Sequence, residues 1–340
     1  MFDLAARARM LSCAPKGILA ADESKVTAEK RLADCGIPVN DETRRQYREL
    51  FLDAPNIEQY LNGVILFTDS LSEKNSKGTL FPTLLKEKNI MVGVKVDEGT
   101  EPFSESKDET ITKGLVGLAE RLAEYKKKYD TDFAKWRAVI TIDGDRLPTA
   151  GAMVENARRL ASYARMTQEA LMVPIIEPEV LYDGKHSLIK SRDTIIKTMT
   201  VVMDMLKEHA VDLCSVVVKT SMALSGKDTG RVDTPEEVAK ETLYALRQSI
   251  PEDIAGIVFL SGGQADEQAT ENLKAIHALT AKEPAPWNIT YSYSRAIERE
   301  ALAKWQCKVE NVEEARTAFL SRLQKLTDAY GDKDSVCIEL

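Results

Sequence analysis

The run Val216-Val217-Val218 ends in Lys219, the residue of this sequence best suited to covalent chemistry. Desolvation in such a run, and nearby cations such as Lys135, favour a neutral amine. A neutral amine attacks a ketone, and the resulting iminium is an electron sink. Carboxylates stand at similar places: Asp22 and Glu23 end the apolar run from Gly17, and Glu177 and Glu179 end the run from Val173. Asp22, Glu177 and Glu179 are candidates for moving protons on and off substrate hydroxyls and the carbinolamine. Lys95 and Asp97 close a third run, and Lys135 and Arg137 lie in a fourth. Side chains alternate along a strand, so Lys135 and Arg137 share one face, as do Glu177 and Glu179. Each alone also fits a plain role: a strand-end lysine that snorkels to water, an Asp22 that caps a helix, a solvated strand face at Lys135 and Arg137. Their coincidence at five strand ends favours a site.

A second cluster suits anions. Ser261-Gly262-Gly263-Gln264 leads into a helix expected to begin near Asp266, and glycines let backbone N–H groups approach an anion closely at a helix N-terminus. Tyr291-Ser292-Tyr293-Ser294-Arg295 follows, with Arg295 able to hold phosphate bidentately. Lys30 and Arg31, on a helical segment after the first run, offer a further anion contact or else a solvated helix face. Lys95, Lys135, Arg137, Lys219, Arg31 and Arg295 aimed at one cleft suit a substrate with two phosphates.

The elements that must position these residues read as eight short β-rich runs: Gly17–Asp22, Gly63–Thr68, Met91–Asp97, Lys135–Ile142, Val173–Pro178, Cys214–Lys219, Ile254–Ser261 and Asn288–Ser292. Helical periodicity fills the intervals, as over Glu155–Glu169 and Thr234–Arg247. Strands alternating with helices require crossovers and a parallel sheet. Eight units predict an α/β fold, a single (β/α)8 TIM barrel with an extra N-terminal helix and a C-terminal tail, whose site lies at the C-terminal strand ends. The barrel is expected over about 17–305 and a C-terminal helix and tail over about 306–340, all in one domain. A doubly wound open sheet competes, but no strand is followed by GxGxxG or GxxxxGK[ST].

At 340 residues, 44% hydrophobic and 29% charged, the chain has the composition of a soluble globular protein. Met1 to Leu11 carries Asp3, Arg7 and Arg9 and reads as an amphipathic opening helix, not an export signal. A net charge of −8 disfavours nucleic acid or an anionic membrane as partner. Five scattered cysteines suit a reducing cytoplasm better than a disulfide framework. His186, His209 and His277 lie far apart without ligand spacing, so no metal site is expected.

Six strings, Gly17-Ile-Leu-Ala-Ala-Asp-Glu-Ser24, Val92-Gly-Val-Lys-Val-Asp97, Phe133-Ala-Lys-Trp-Arg137, Val173-Pro-Ile-Ile-Glu-Pro-Glu179, Phe259-Leu-Ser-Gly-Gly-Gln264 and Ser292-Tyr-Ser-Arg295, resemble those of class I fructose-bisphosphate aldolases, in the family's order. The resemblance implies reversible cleavage of fructose 1,6-bisphosphate to dihydroxyacetone phosphate and glyceraldehyde 3-phosphate. It implies a Schiff base at Lys219, with no metal or other cofactor, and proton transfer by Glu177. Asp22 would act with Lys135 at the bond being broken, and Glu179 would orient these groups. Ser261, Gly262, Ser294 and Arg295 would bind one phosphate, beside Gly263 and Ser292, with Lys95, Arg137, Thr27 and Arg31 toward the other end of the sugar. A homotetramer is expected from the same resemblance, in the cytoplasm that the cysteine usage suits.

The chain departs from the family at three places. Thr220-Ser221-Met222 stands where the best-known members have Pro-Asn-Met, Ser294 stands where they have glycine, and the sequence ends Val336-Cys-Ile-Glu-Leu340 where they have a tyrosine that folds over the site. The competing functions are a different Schiff-base sugar-phosphate aldolase and a non-catalytic scaffold. The second requires loss of a chemical group, and Asp22, Lys135, Glu177 and Lys219 are all in place.

Overall fold

A computed structural model of the protein describes residues 3–331. In chain order the strands are β1 (Gly17–Ala21), β2 (Leu61–Leu66), β3 (Met91–Lys95), β4 (Thr100–Phe103), β5 (Ser106–Thr112), β6 (Phe133–Ile140), β7 (Val173–Val180), β8 (Val217–Thr220), β9 (Gly256–Phe259) and β10 (Asn288–Tyr293). The α-helices are α1 (Leu4–Leu11), α2 (Lys25–Asp34), α3 (Asp41–Leu52), α4 (Phe81–Glu87), α5 (Leu118–Tyr129), α6 (Ala150–Glu169), α7 (Leu188–Glu208), α8 (Pro235–Ser249), α9 (Asp266–Lys282), α10 (Arg295–Trp305) and α11 (Val312–Asp328). Eight strands close a parallel barrel in the order β1-β2-β3-β6-β7-β8-β9-β10, and β10 pairs back onto β1. This is the expected (β/α)8 barrel, and closure excludes the open sheet.

The eight barrel strands are largely buried on both faces, as the crossover helices require. Leu19, Val64, Val92, Trp136, Ile176, Val218 and Phe259 point outward into the layer beneath the helices. Ile18, Ala20, Ile65, Phe133, Val173, Ile175, Val217 and Val258 fill the barrel interior, and Ala8 and Leu11 of α1 plug its lower end. Gly93 makes room for Phe133, whose ring would lie 2.1 Å from a Cβ there. Continuing the same alternation upward brings Asp22 above Ala20, Lys135 above Phe133, Glu177 above Ile175 and Lys219 above Val217. The apolar layers give way to charge only at the mouth.

Several boundaries differ from the sequence reading. The stretch Leu213–Ser215 forms a 3-10 turn, so Cys214 precedes β8 and is not part of it. The fourth barrel strand begins at Phe133, two residues before the expected start. The β4–β5 hairpin was not expected, because its polar sequence Ser106-Lys-Asp-Glu-Thr-Ile-Thr112 offers no apolar run. It packs Phe103 and Ile111 on Ala152 of α6. The C-terminal helix is α11, and the expected tail, residues 332–340, lies outside the described residues. No helix among the described residues is long and apolar enough to cross a membrane.

Candidate active site

At the C-terminal mouth of the barrel is a cavity of about 380 Å3, lined by Asp22, Lys135, Glu177 and Lys219 among others. The Lys219 Nζ lies 3.2 Å from one oxygen of Glu177. The other oxygen of Glu177 is 2.7 Å from Lys135 Nζ, which in turn donates to Asp22 at 2.7 Å. All four side chains are at least nine-tenths buried. Two amines and two carboxylates thus form one continuous chain out of bulk water.

Burial opposes ionisation of Asp22, but the charges of Lys135, Lys219 and Lys95 outweigh it and hold the carboxyl far below the usual carboxylate range. Glu177 is likewise lowered, with burial overcome by Lys135, Lys219 and Arg137. Lys135 is held above the ordinary lysine range, since Asp22, Glu177 and Asp97 outweigh its desolvation. Lys135 is therefore a fixed cation between two carboxylates. The nearest carboxylate to the Lys219 amine, Glu177, carries charge that Lys135 already balances.

Around this chain the other cations are mostly paired. Lys95 is bound to Asp97, and Arg137 Nε donates to Glu179 at 2.5 Å. Arg31 is bound to Glu23 and lies 2.8 Å from Glu298, with Tyr47 and Ser294 hydroxyls each 3.1 Å from the same nitrogen. Arg48 completes that network from the far side of Glu23. Arg295 has no ion pair among the described residues, and burial followed by the like charges of Arg31 and Arg299 lowers its guanidinium below the ordinary arginine range. A cation that burial and neighbouring cations disfavour gains most from an incoming anion.

Arg295 lies over the glycine loop, where a Cβ on Gly263 would sit 3.7 Å from its Nη2. Gly262 and Gly263 take φ of +50° and +89°, the left-handed region in which side chains are strained. Ser261 and Gly262 line the cavity, as does Ser292, whose buried hydroxyl has no hydrogen-bond partner among the described residues. Ser294 takes φ −123°, outside the left-handed region, and its hydroxyl turns toward Glu23 and Glu298. On the opposite side Thr27 lines the cavity in the first turn of α2, its hydroxyl 3.1 Å from that of the capping Ser24.

Every residue singled out from the sequence as a catalytic or binding candidate borders this cavity except Gly263, which lies beneath Arg295, and Lys30, which is exposed on α2 away from it. The six cations expected at one cleft, Arg31, Lys95, Lys135, Arg137, Lys219 and Arg295, all line it, and of these only Arg295 has no ion pair among the described residues. Glu298, Tyr47 and Arg48 were missed. Glu298 stands three residues after Arg295 on α10, close to the mouth by helical spacing, but its partner Arg31 is more than 250 positions away in sequence. Among the described residues no group of His, Cys, Asp and Glu is arranged to hold a metal ion.

The family model for class I fructose-bisphosphate aldolase, glycolytic, matches residues 3–335. The chain is 44% identical over 308 residues to fructose-bisphosphate aldolase B of Oryctolagus cuniculus, covering 90% of this chain and 84% of that one. It is 40% identical over 328 residues to the cytosolic fructose-bisphosphate aldolase 4 of Arabidopsis thaliana, covering 96% and 82%. A solved structure of fructose-bisphosphate aldolase from Plasmodium falciparum, in complex with TRAP and a small molecule inhibitor, superposes with a TM-score of 0.94 at 39% identity, over 98% of this chain and 95% of that one. The chain belongs to the class I fructose-bisphosphate aldolase family. Members of this family are lyases that cleave fructose 1,6-bisphosphate reversibly through a lysine Schiff base, without a metal.

Proposed function

We propose that Lys219 is the Schiff-base lysine and that the chain Lys219–Glu177–Lys135–Asp22 carries the proton transfers. The carrying observation is the unbroken contact through four buried groups, at 3.2, 2.7 and 2.7 Å. The neutral Lys219 amine attacks the C2 ketone. Glu177 receives the proton that the Lys219 ammonium sheds across their 3.2 Å contact to become neutral, then gives it to the departing carbinolamine hydroxyl, and water leaves to form the iminium. Asp22, held ionised by Lys135, takes the proton of the C4 hydroxyl as the C3–C4 bond breaks. The bond's electron pair moves into the iminium, glyceraldehyde 3-phosphate departs and an enamine remains. Protonation of that enamine and addition of water release dihydroxyacetone phosphate and restore the Lys219 amine. Glu179, fixed by Arg137, orients this set.

One phosphate sits against Arg295, Ser261, Gly262, Gly263 and Ser292, the half of the mouth with the uncompensated cation. The Ser294 hydroxyl is committed to the Arg31 network, so Ser294 serves this phosphate by position rather than by its side chain. The other phosphate lies toward Lys95, Arg137, Thr27 and Arg31. There the incoming dianion competes with Asp97, Glu179 and Glu23 for these cations.

The test is reduction with borohydride in the presence of fructose 1,6-bisphosphate, followed by peptide mass spectrometry. A triose phosphate adduct on Lys219 is expected. An unmodified Lys219 in folded protein, or an adduct on Lys135, overturns the assignment. We further infer a single domain that works in the cytoplasm as a homotetramer. The cytosolic relative from Arabidopsis thaliana supports the location, and the net charge of −8 speaks against nucleic acid or an anionic membrane as partner. Sedimentation that finds a monomer at micromolar concentration overturns the tetramer.

A further inference from the structure

The network that holds Arg31 at the mouth contains a buried acid with no task in the mechanism above, Glu298 on α10, which is 1% exposed. Its Oε2 lies 2.8 Å from Arg31 Nη1 and accepts from the hydroxyls of Tyr47 at 3.0 Å and Ser294 at 3.2 Å. Its Oε1 is buried with no hydrogen-bond partner among the described residues. An orphaned oxygen on a buried carboxylate is a cost to folding, so stability alone gives no reason for an acid here. Ser294, four residues earlier at the N-cap of α10, brings its hydroxyl to the same Arg31 nitrogen, and the residue types at 294 and 298 act on one target.

Arg31 is gripped at one end only. Its hydrogen bonds to Glu23, Tyr47, Ser294 and Glu298 are all made by Nη1, whose two hydrogens they share. Nε and Nη2 have no partner among the described residues, and the side chain lines the active-site cavity. Arg48 closes the set from the other side of Glu23, with its Nη2 3.0 Å from the Glu23 carbonyl oxygen. Arg31 and Arg48 against Glu23 and Glu298 make two positive and two negative charges, a neutral quartet. Without the charge of Glu298 the quartet would be positive, close to Arg295, whose guanidinium already feels the like charge of Arg31.

We propose that Glu298 is a positioning residue that sets how tightly the mouth holds a substrate phosphate: it fixes Arg31 by one nitrogen, leaves the other edge of the guanidinium to the cavity, and cancels the charge that Arg31 would otherwise present. The proposal rests on the assignment of Arg31 to a substrate phosphate made above. Arg31 then recognises phosphate by direction, through Nε and Nη2, and Arg295 supplies the uncompensated field. Glu298→Gln keeps an acceptor oxygen for Arg31 and Tyr47 and gives up only the charge. The added attraction acts on the phosphate before and during bond breakage alike, so it lowers KM without raising kcat.

The test is steady-state cleavage of fructose 1,6-bisphosphate by the parent, Glu298→Gln and Glu300→Gln, with inorganic phosphate as a competitive inhibitor. Glu300 is exposed two residues further along α10, so its substitution changes the net charge equally and leaves the network intact. A unit charge about 10 Å from a phosphate, in a medium between protein surface and water, is worth roughly three- to tenfold in affinity. For Glu298→Gln, KM and the inhibition constant of phosphate both fall by that factor with kcat within twofold, and Glu300→Gln moves neither. Should Glu298→Gln fail to fold, Glu298→Met, of similar size and uncharged, is expected to show the same fall in the phosphate inhibition constant. An unchanged or raised KM, an equal fall in Glu300→Gln, or a kcat that falls in proportion overturns the proposal. Borohydride trapping on the same samples keeps the two readings apart: a Lys219 adduct with an unchanged KM refutes the role of Glu298 alone, whereas a parent without the adduct refutes the Schiff-base assignment.

Discussion

Replacing Ser294 by glycine, the residue the family resemblance expects there, removes a hydroxyl from the centre of the Arg31 network. That hydroxyl is 3.1 Å from Glu23, 3.2 Å from Glu298 and 3.1 Å from the Arg31 guanidinium. It has one proton, so it donates to one carboxylate and accepts from Arg31, making two charge-assisted hydrogen bonds. Arg31 keeps both carboxylates and Tyr47, so no charge is orphaned, and because all three charged partners keep other contacts the loss is set at the worth of one charge-assisted bond, about 1.5–3 kcal/mol. Greater backbone freedom of glycine in the unfolded chain adds about 0.5–1 kcal/mol. The sum, about 2–4 kcal/mol, corresponds to a fall in Tm of roughly 3–6 °C for a chain of this length, taking about 2.1 cal/mol/K of unfolding entropy per residue. Thermal unfolding measures the fall, and steady-state cleavage of fructose 1,6-bisphosphate measures the effect on the site. A loosened Arg31 raises KM several-fold and leaves kcat within about twofold, because Arg31 touches none of the four groups of the proton chain. Ser294→Ala separates the causes: it keeps the Cβ and loses the hydroxyl, so it reproduces the larger part of the destabilisation. A Tm within 1 °C of the parent for both variants, with unchanged KM, would refute the account of Ser294 as a member of this network.

Glu177→Gln removes the group proposed to pass protons between Lys219 and the substrate and is expected to lower kcat by roughly 10²- to 10⁴-fold; a kcat within threefold of the parent in a coupled assay rules out that role. Gly262→Ala forces a side chain into φ +50° and within 2.9 Å of Leu260 Cδ1. A left-handed non-glycine residue costs about 1–2 kcal/mol, so KM rises about tenfold, whereas a KM unchanged in titrations shows that the loop does not bind substrate. Stability follows the shifted charges. Asp22 and Glu177 have folded-state values below their unfolded ones, so their contribution is complete above about pH 5 and is lost as the pH falls through the folded values. Lys135 is shifted upward, so its contribution is complete below about pH 10 and is lost as the pH rises through its folded value. Urea unfolding across the pH range is expected to show a plateau between these limits, and for Lys135→Met a lower plateau with the alkaline edge diminished; an unchanged curve contradicts the assignment of Lys135 as the central cation.

Much of the molecule is legible along the chain. Alternation with a period of two residues sets Ile18, Ala20 and Asp22 on one face of β1, and Phe133, Lys135 and Arg137 on one face of β6, so a closed barrel had to carry the charged positions to one mouth. Gly262 and Gly263 were legible as a loop leading into the helix at Asp266, and both take positive φ, a region glycine enters most readily. These features are local, and local sterics and hydrophobic periodicity read directly from sequence. The β4–β5 hairpin was not legible, since it is largely polar and is held by a small apolar contact with α6 that no period reveals. Nor was the pairing of charges. Which carboxylate neutralises Lys135, that Arg31 is shared by Glu23 and Glu298, and that of the six cations at the mouth Arg295 alone has no ion pair among the described residues are decided by distances across the barrel between residues up to 267 positions apart. Coulomb energy falls with separation in space and takes no account of separation in sequence, so only the closed barrel determines where the uncompensated positive charge lies.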